Sequence, residues 1–394
     1  MSIYDKKLYI KKTDGNIQTA NLYTDKNDVG DNYLTFKYNG NTVYAVLNSV
    51  NSIDNVELYI RYNSKYYILN KTNIQWKIDE YRMDKLYPST YNTMTELPND
   101  RDWVEFVKYR KYLIDMFKNC TSLTTVPQFD TSNVIDMSSM FNGCRCLMTV
   151  PLFDTSSVIN MQHMFDRCIN LTTIPLFNTS NVIKMNAMFG QCSNLKTVPK
   201  FDTQNVTNME YMFYTCANLI RMPLFDTSNV TTMKSMFEDC GSLTEIPHLD
   251  TKNVTNMLHM FKGCQNITVI PLFDTSNVTN MSFMFCDCQK LKSIPQLDTS
   301  NVTNMSCMFD ACISLTTIPL LDTSNVTDMS YMFSYCNSLT TIPILDVKNI
   351  KQNNGLQNMI IGTNITKITF KNKPADLEIT PEILGMPDVQ ITFV

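Results

Sequence analysis

Ile267-Thr-Val-Ile-Pro-Leu-Phe-Asp-Thr-Ser-Asn-Val-Thr-Asn-Met-Ser-Phe-Met-Phe-Cys-Asp-Cys-Gln-Lys290 is one copy of a 24-residue unit that recurs ten times without insertion or deletion. Prolines fall 24 residues apart from Pro127 to Pro343, Met-Phe pairs from Met116-Phe117 to Met332-Phe333, and cysteines from Cys120 to Cys336. Self-similarity at this period marks a solenoid. No unit buries its apolar face alone, and stacked neighbours share one core.

Within a unit, Leu171 and Ile174 flank a short extended run that Pro175 stops. Asp-Thr-Ser-Asn follows, and such side chains bond nearby backbone groups in turns. Val230, Met233, Met236 and Phe237 then stand three, three and one apart, the inward face expected of a short helical or 3₁₀ turn. If the extended runs pair side by side, each step rises roughly 4.8 Å and ten units span on the order of 45 Å.

The stretch from Leu113 to Ile350, about 60% of the chain, resembles the BspA-type leucine-rich repeats of microbial surface proteins. Asp274-Thr-Ser-Asn-Val-Thr-Asn-Met-Ser-Phe-Met-Phe285 carries the resemblance, which implies a leucine-rich-repeat-type solenoid and, less specifically, adhesion or protein binding.

The fold class expected is an α+β repeat: a solenoid over residues 113–350 with a small antiparallel β domain before it and a β cap after it. In residues 1–75, Tyr33–Tyr38 and Asn41–Leu47 form a hairpin signal around Asn39-Gly40. Val56–Tyr62 and Lys65–Leu69 form a second. Residues 76–112 form a connector with a capping helix, read over Asp102–Phe117 as it enters the first unit. Residues 351–394 form the cap, with strands expected at Ile365–Phe370, Leu377–Ile379 and Val389–Val394.

Composition narrows the function. The net charge of −4 arises from 33 basic and 37 acidic residues with no basic stripe, which argues against nucleic acid as a partner. No apolar window is long enough to insert in a membrane. The opening lysines precede no apolar run, so neither a secretory signal nor an anchor is read. Folding in a reducing cytoplasm follows, with the ten in-register cysteines as reduced core thiols. The aspartates in register with Asp274, Asn178 among them, are read as turn formers. The Asn277 column is read as a ladder and the methionines as core. His163 and His259 share a position but lie four units apart, too far to share a metal. No nucleophile elbow, phosphate loop or carboxylate pair appears, so neither catalysis nor a metal or cofactor is expected.

Comparison among the copies shows what stacking leaves free. The position two after the first Met carries Ser139, His163, Ala187, Tyr211, Ser235, His259, Phe283, Cys307 and Tyr331. The residue after each proline also varies, with Gln128, Lys200, His248 and Gln296 interrupting a leucine series. Rigid aromatic and imidazole side chains make good contact platforms. His163, Tyr211, Tyr214, His259, Phe283, Tyr331 and Tyr335 are therefore the candidate binding surface. The function expected is a non-catalytic recognition or structural part. A surface-displayed attachment module such as a bacteriophage virion appendage is favoured. It would bind a protein or glycan receptor or sister subunits, and assemble as a homo-oligomer through residues 1–100. A cytoplasmic interaction scaffold is the alternative, and an adhesin exported by another route comes third.

Overall fold

The structure is a computed structural model that describes residues 111–394, Thr95, and six strands between residues 7 and 69. Apart from Thr95, residues 76–110 of the connector and expected capping helix lie outside the described residues.

Strands β1 (Lys7–Lys12), β2 (Ile17–Tyr23), β3 (Tyr33–Tyr38), β4 (Asn41–Val46), β5 (Val56–Tyr62) and β6 (Lys65–Leu69) form one sheet in the order β3-β4-β2-β1-β5-β6. Both expected hairpins are present, with Tyr38 opposite Asn41 and Tyr62 opposite Lys65. The first two strands carried no turn signal that sequence reasoning used, yet β1 sits centrally between β2 and β5.

From residue 111 the chain is a stack. Nine isolated parallel bridges join ten positions 24 residues apart, from Tyr112–Asp136 to Asn304–Asp328. Leu113–Phe117 already follow the unit's pattern as turns, not as the end of a helix. Leu113, Met116, Phe117 and Cys120 are buried like Met137, Met140, Phe141 and Cys144 after them.

The Met-Phe segment is likewise not a helical turn. Met140 N–H donates to Met137 O at 3.2 Å and Cys144 N–H to Phe141 O at 3.0 Å, closing two successive β-turns. Their third residues, Ser139 and Gly143, have φ of 54° and 77°, as type II turns require. The intervening donors face the next unit: Met137 N–H to Asn160 O (3.0 Å), Ser139 to Gln162 (2.9 Å), Phe141 to Met164 (2.9 Å) and Gly143 to Asp166 (2.7 Å). Alternate N–H groups thus close turns and join units, so the buried backbone is satisfied without strands or helices. The inward spacing of three, three and one is the same for a helical turn and for this turn pair, so periodicity cannot separate them.

The extended runs also pair differently from expectation. Between units the Leu-Thr-Thr run makes a lone backbone bond, such as Thr172 N–H to Met148 O at 3.1 Å. On the Phe-Asp-Thr run a side chain takes over. The buried hydroxyl of Thr131 donates to Asp154 O at 2.7 Å, and its equivalents do so through Thr323, which reaches Asp346 O at 2.9 Å.

Inside, Val278, Met281, Met284, Phe285, Cys288 and Leu291 are fully buried, as are their counterparts in the other units. The ten phenylalanines from Phe117 to Phe333 stack with centroids 5.3–5.8 Å apart and nearly parallel planes. Truncating one such ring costs about 3–5 kcal/mol in a packed core. The cysteine column lies beside it. Each thiol from Cys144 to Cys336 donates to the phenylalanine carbonyl of the preceding unit at 3.0–3.2 Å. Burial pushes these thiols up, Cys216 and Cys336 to about 12.

The sequence period ends near Asn349, but the backbone repeats once more with three extra residues. Met329, Tyr331, Phe333 and Tyr335 N–H donate to Gly355, Gln357, Met359 and Ile361 O at 2.7–2.9 Å, and Asn358 and Gly362 hold the left-handed positions. A short helix α1 (Pro381–Leu384) and a parallel sheet β7 (Leu345–Asp346), β8 (Lys367–Lys371), β9 (Gln390–Phe393) close this end. Leu377–Ile379 is not a strand. Leu377 N–H turns back to Pro374 O at 3.2 Å, and both apolar side chains are buried.

Candidate functional site

The seven residues singled out in the sequence all stand on the type II turns. His163, Tyr211, His259, Phe283 and Tyr331 occupy the third position of the first turn, each with φ between 54° and 58°. Tyr335 occupies the same position of the second turn, at φ 54°, and Tyr214 the one before it in its unit. Left-handed backbone costs a non-glycine residue about 1–2 kcal/mol and disfavours β-branched side chains most. Variation at the first position therefore has a stereochemical limit: no Val, Ile or Thr appears from Ser139 to Tyr331.

These side chains form local pairs along one face, not one cluster. His163 Nδ1 lies 3.3 Å from Asp166 Oδ2. Tyr211 and Tyr214 meet edge to face at 5.8 Å, with Lys234 Nζ 5.4 Å from the Tyr211 centroid. His259 packs edge-on against Phe283 at 4.9 Å and points Nδ1 at Glu238 Oε2, 3.3 Å away. Lys262 Nζ donates to Glu238 Oε1 at 2.9 Å. Burial pushes the Glu238 carboxyl up, but the bonds from His259 and Lys262 outweigh it and hold the group at about 2. Tyr331 Oη accepts from Asn358 Nδ2 at 3.0 Å, and the Tyr335 ring lies over Gly362, where a Cβ would stand 2.7 Å from it.

A second face was not singled out. Along Pro271-Leu272-Phe273-Asp274-Thr275, exposure alternates, so Leu272 and Asp274 point outward while Phe273 and Thr275 point in. Stacked, these segments make two outward rows over a groove of about 1170 Å³ that runs from His248 to Lys371. A further 500 Å³ extends it back to Lys200 through His248 and Asp250. One row carries Leu224, Leu272, Leu320 and Ile344, which are 52, 62, 66 and 44% exposed. The other carries Asp226, Asp250, Asp274, Asp298 and Asp322.

Each aspartate is fixed by its own turn. Asp274 Oδ1 accepts Ser276 N–H at 3.1 Å and Ser276 Oγ–H at 2.7 Å, and these bonds hold the carboxyl below the usual range. The same holds at Asp226, Asp298 and Asp322. Oδ2 of Asp274, Asp298 and Asp322 accepts no hydrogen bond among the described residues, and all three residues are exposed. Asn178 makes the same cap to Ser180, at 3.2 and 2.8 Å. The asparagine ladder is present too: Asn277 Nδ2 donates to Lys252 O at 2.7 Å, and Ser157 Oγ substitutes by donating to Ser132 O at 3.1 Å. Among the described residues no three His, Cys, Asp or Glu side chains converge as metal ligands. Among the same residues no helix is long and apolar enough to cross a membrane.

The signal for the groove was available: a large apolar residue follows the proline in six units, at a position where the stack exposes it. A row of leucines left exposed among the described residues is the feature to look for.

A protein family described as "Mycoplasma protein of unknown function, DUF285" matches residues 111–222, 193–269 and 265–368, overlapping spans that cover well over half the chain. No curated protein matches. Among solved structures, a leucine-rich repeat protein from Eubacterium ventriosum is 17% identical, with 72% of this chain and 91% of that one covered at a TM-score of 0.38. An internalin (inlF) from Listeria monocytogenes is 11% identical, covering 73% and 88% at a TM-score of 0.26. TLR13 in complex with ssRNA13 is 15% identical over 74% of this chain at a TM-score of 0.25, and the chain spans 45% of the TLR13 chain.

Proposed function

The chain belongs to the DUF285 family, described as of unknown function, and from that premise we propose that it is a non-catalytic recognition module whose solenoid binds a polypeptide in the Leu–Asp groove. The observation that carries this is the ridge of Leu224, Leu272 and Leu320, each more than half exposed, opposite carboxylates with an open oxygen. Fully burying one such leucine against a partner is worth about 1.5–3 kcal/mol, so three supply the core of an interface. Display on a surface, a virion appendage included, is the favoured setting, with assembly through residues 1–100. A cytoplasmic scaffold is the alternative, and co-purification of the chain with particles against retention in the cytosol separates the two.

The binding face is tested by placing a photo-crosslinking residue at 272, 320 or 283 in the full chain within its native cells. Adducts that form from 272 and 320 support the groove. Adducts that form from 283 alone move recognition to the turn face.

A further inference from the structure

We propose that the groove's partner is an extended, cationic polypeptide segment laid along the solenoid axis, with an apolar residue at every third position. This rests on the groove as the recognition surface and goes further, to the partner's chemistry.

The charge follows from the acidic row. The groove from His248 to Lys371 presents Asp250, Asp274, Asp298 and Asp322, with Asp346 buried at its end, against two lysines. Those lysines sit at its ends, with Lys252 Nζ 3.7 Å from Asp250 and Lys371 Nζ 3.8 Å from Asp346. Between them, Asp274, Asp298 and Asp322 make no salt bridge among the described residues, and repulsion from the outer two works against the Ser300 bonds that hold the Asp298 carboxyl down. A partner that brings cations to this row relieves that repulsion, whereas a polyanion such as a nucleic acid meets it. The apolar row is leucine and isoleucine, without the aromatic faces on which sugar rings stack.

The spacing follows from the stack. Leu224, Leu272 and Leu320 occur at every second unit, with His248 and Gln296 between them. Two units advance about 10 Å at the strand-like spacing of bridged backbones. Three residues of a polyproline chain, one full turn, also cover about 9 Å. Apolar side chains at every third position therefore fall in step with the leucines, while the residues between them reach the aspartates. The two rows come from residues two apart on one extended segment, about 7 Å. That is narrower than the 10–12 Å of a helix, so a helix does not fit. A polyproline-like chain fits, because its side chains repeat every three residues, whereas a β-strand turns every third side chain to the opposite face.

The test is fluorescence anisotropy of labelled 15-residue peptides against the full chain. The peptides are a Leu-Pro-Lys repeat, a Leu-Pro-Glu repeat, and a scrambled peptide of the first composition. The Leu-Pro-Lys repeat is expected to bind saturably. D274N/D298N/D322N and L272D/L320D should each weaken it at least tenfold, and the other two peptides should bind at least tenfold more weakly. The asparagine substitutions keep the turns, because Asn178 already caps Ser180, and circular dichroism melts verify this. Equal binding of the Lys and Glu repeats, or an unchanged D274N/D298N/D322N variant, overturns the cationic partner. Equal binding of the scrambled peptide overturns the spacing. Absence of binding by any peptide overturns the proposed partner class, while crosslinks from 272 and 320 in cells would still uphold the groove itself.

Discussion

The thiol of Cys264 donates to the carbonyl oxygen of Phe237, 27 residues earlier, at 3.0 Å, and that oxygen also accepts Cys240 N–H at 3.1 Å. Cysteine is small enough to sit beside the ring stack and still supplies a proton to a buried acceptor, which alanine or valine cannot do. Cys264→Val is expected to destabilise the solenoid by about 1–3 kcal/mol through overpacking and loss of that donor. Cys264→Ser, which keeps a donor, should cost less, and urea unfolding monitored by circular dichroism compares the two.

The same geometry sets thiol chemistry. Twelve of the thirteen cysteines are either buried or, in the case of Cys307, pushed to about 12 by burial and by Asp310. Iodoacetamide on the folded chain should label Cys146 first. Early labelling of Cys192 or Cys216, read by peptide mass spectrometry, would mean that the stack opens locally.

At Ser139, with φ of 54°, Ser139→Val should cost about 1–2 kcal/mol more than Ser139→Asn, because β-branching is least compatible with left-handed backbone. Thermal melts of both variants check this, and equal melting temperatures would count against the turn assignment.

Glu238 gives a pH prediction. Its folded carboxyl titrates at about 2, below the ordinary 4.5. A depressed carboxyl contributes stability that is full above about 4.5 and is lost as pH falls through the folded value. The wild type should therefore lose more stability than Glu238→Gln between pH 4.5 and 2. Aspartates such as Asp274 titrate in both proteins, so the difference in melting temperature between the two isolates Glu238.

The asparagine ladder predicts an asymmetry between two small changes. Asn277→Asp sets a carboxylate against Lys252 O and should destabilise by about 1 kcal/mol. Asn277→Ser should be milder, since Ser157 makes the equivalent bond. Chemical denaturation of the two variants decides it.

The stack and its inward columns were legible because burial acts on every unit alike, so Val278, Met281, Phe285 and Cys288 carry the period openly. The turn type was not, since inward spacing says nothing of the sign of φ. The better clue was negative, the lack of β-branched residues at the one position that Ser139 and Tyr331 share. The eleventh rung at Gly355–Ile361 hid behind a three-residue offset. Tyr211, His259 and Phe283 drew notice as variable aromatics, although neighbours such as Tyr214 and Glu238 already engage them. Leu272 and Leu320 stand at a position that varies between copies, yet a leucine carries no aromatic signal of a contact platform. The outward direction of Leu272 follows from the alternation of exposure along its extended segment, between buried Phe273 and the half-buried Pro271.

The turn segments join units with a sense of direction: Phe141 N–H donates forward to Met164 O, and the phenylalanines in register with it, through Phe333, do likewise. In the language of symmetry these joints are heterologous, so the two ends of the array are complementary to each other and not to themselves. A chain severed between units would expose amide donors on one fragment's turn face and carbonyls on the other's. Such fragments re-join head to tail as one complementary pair, and through this surface neither pairs with a copy of itself.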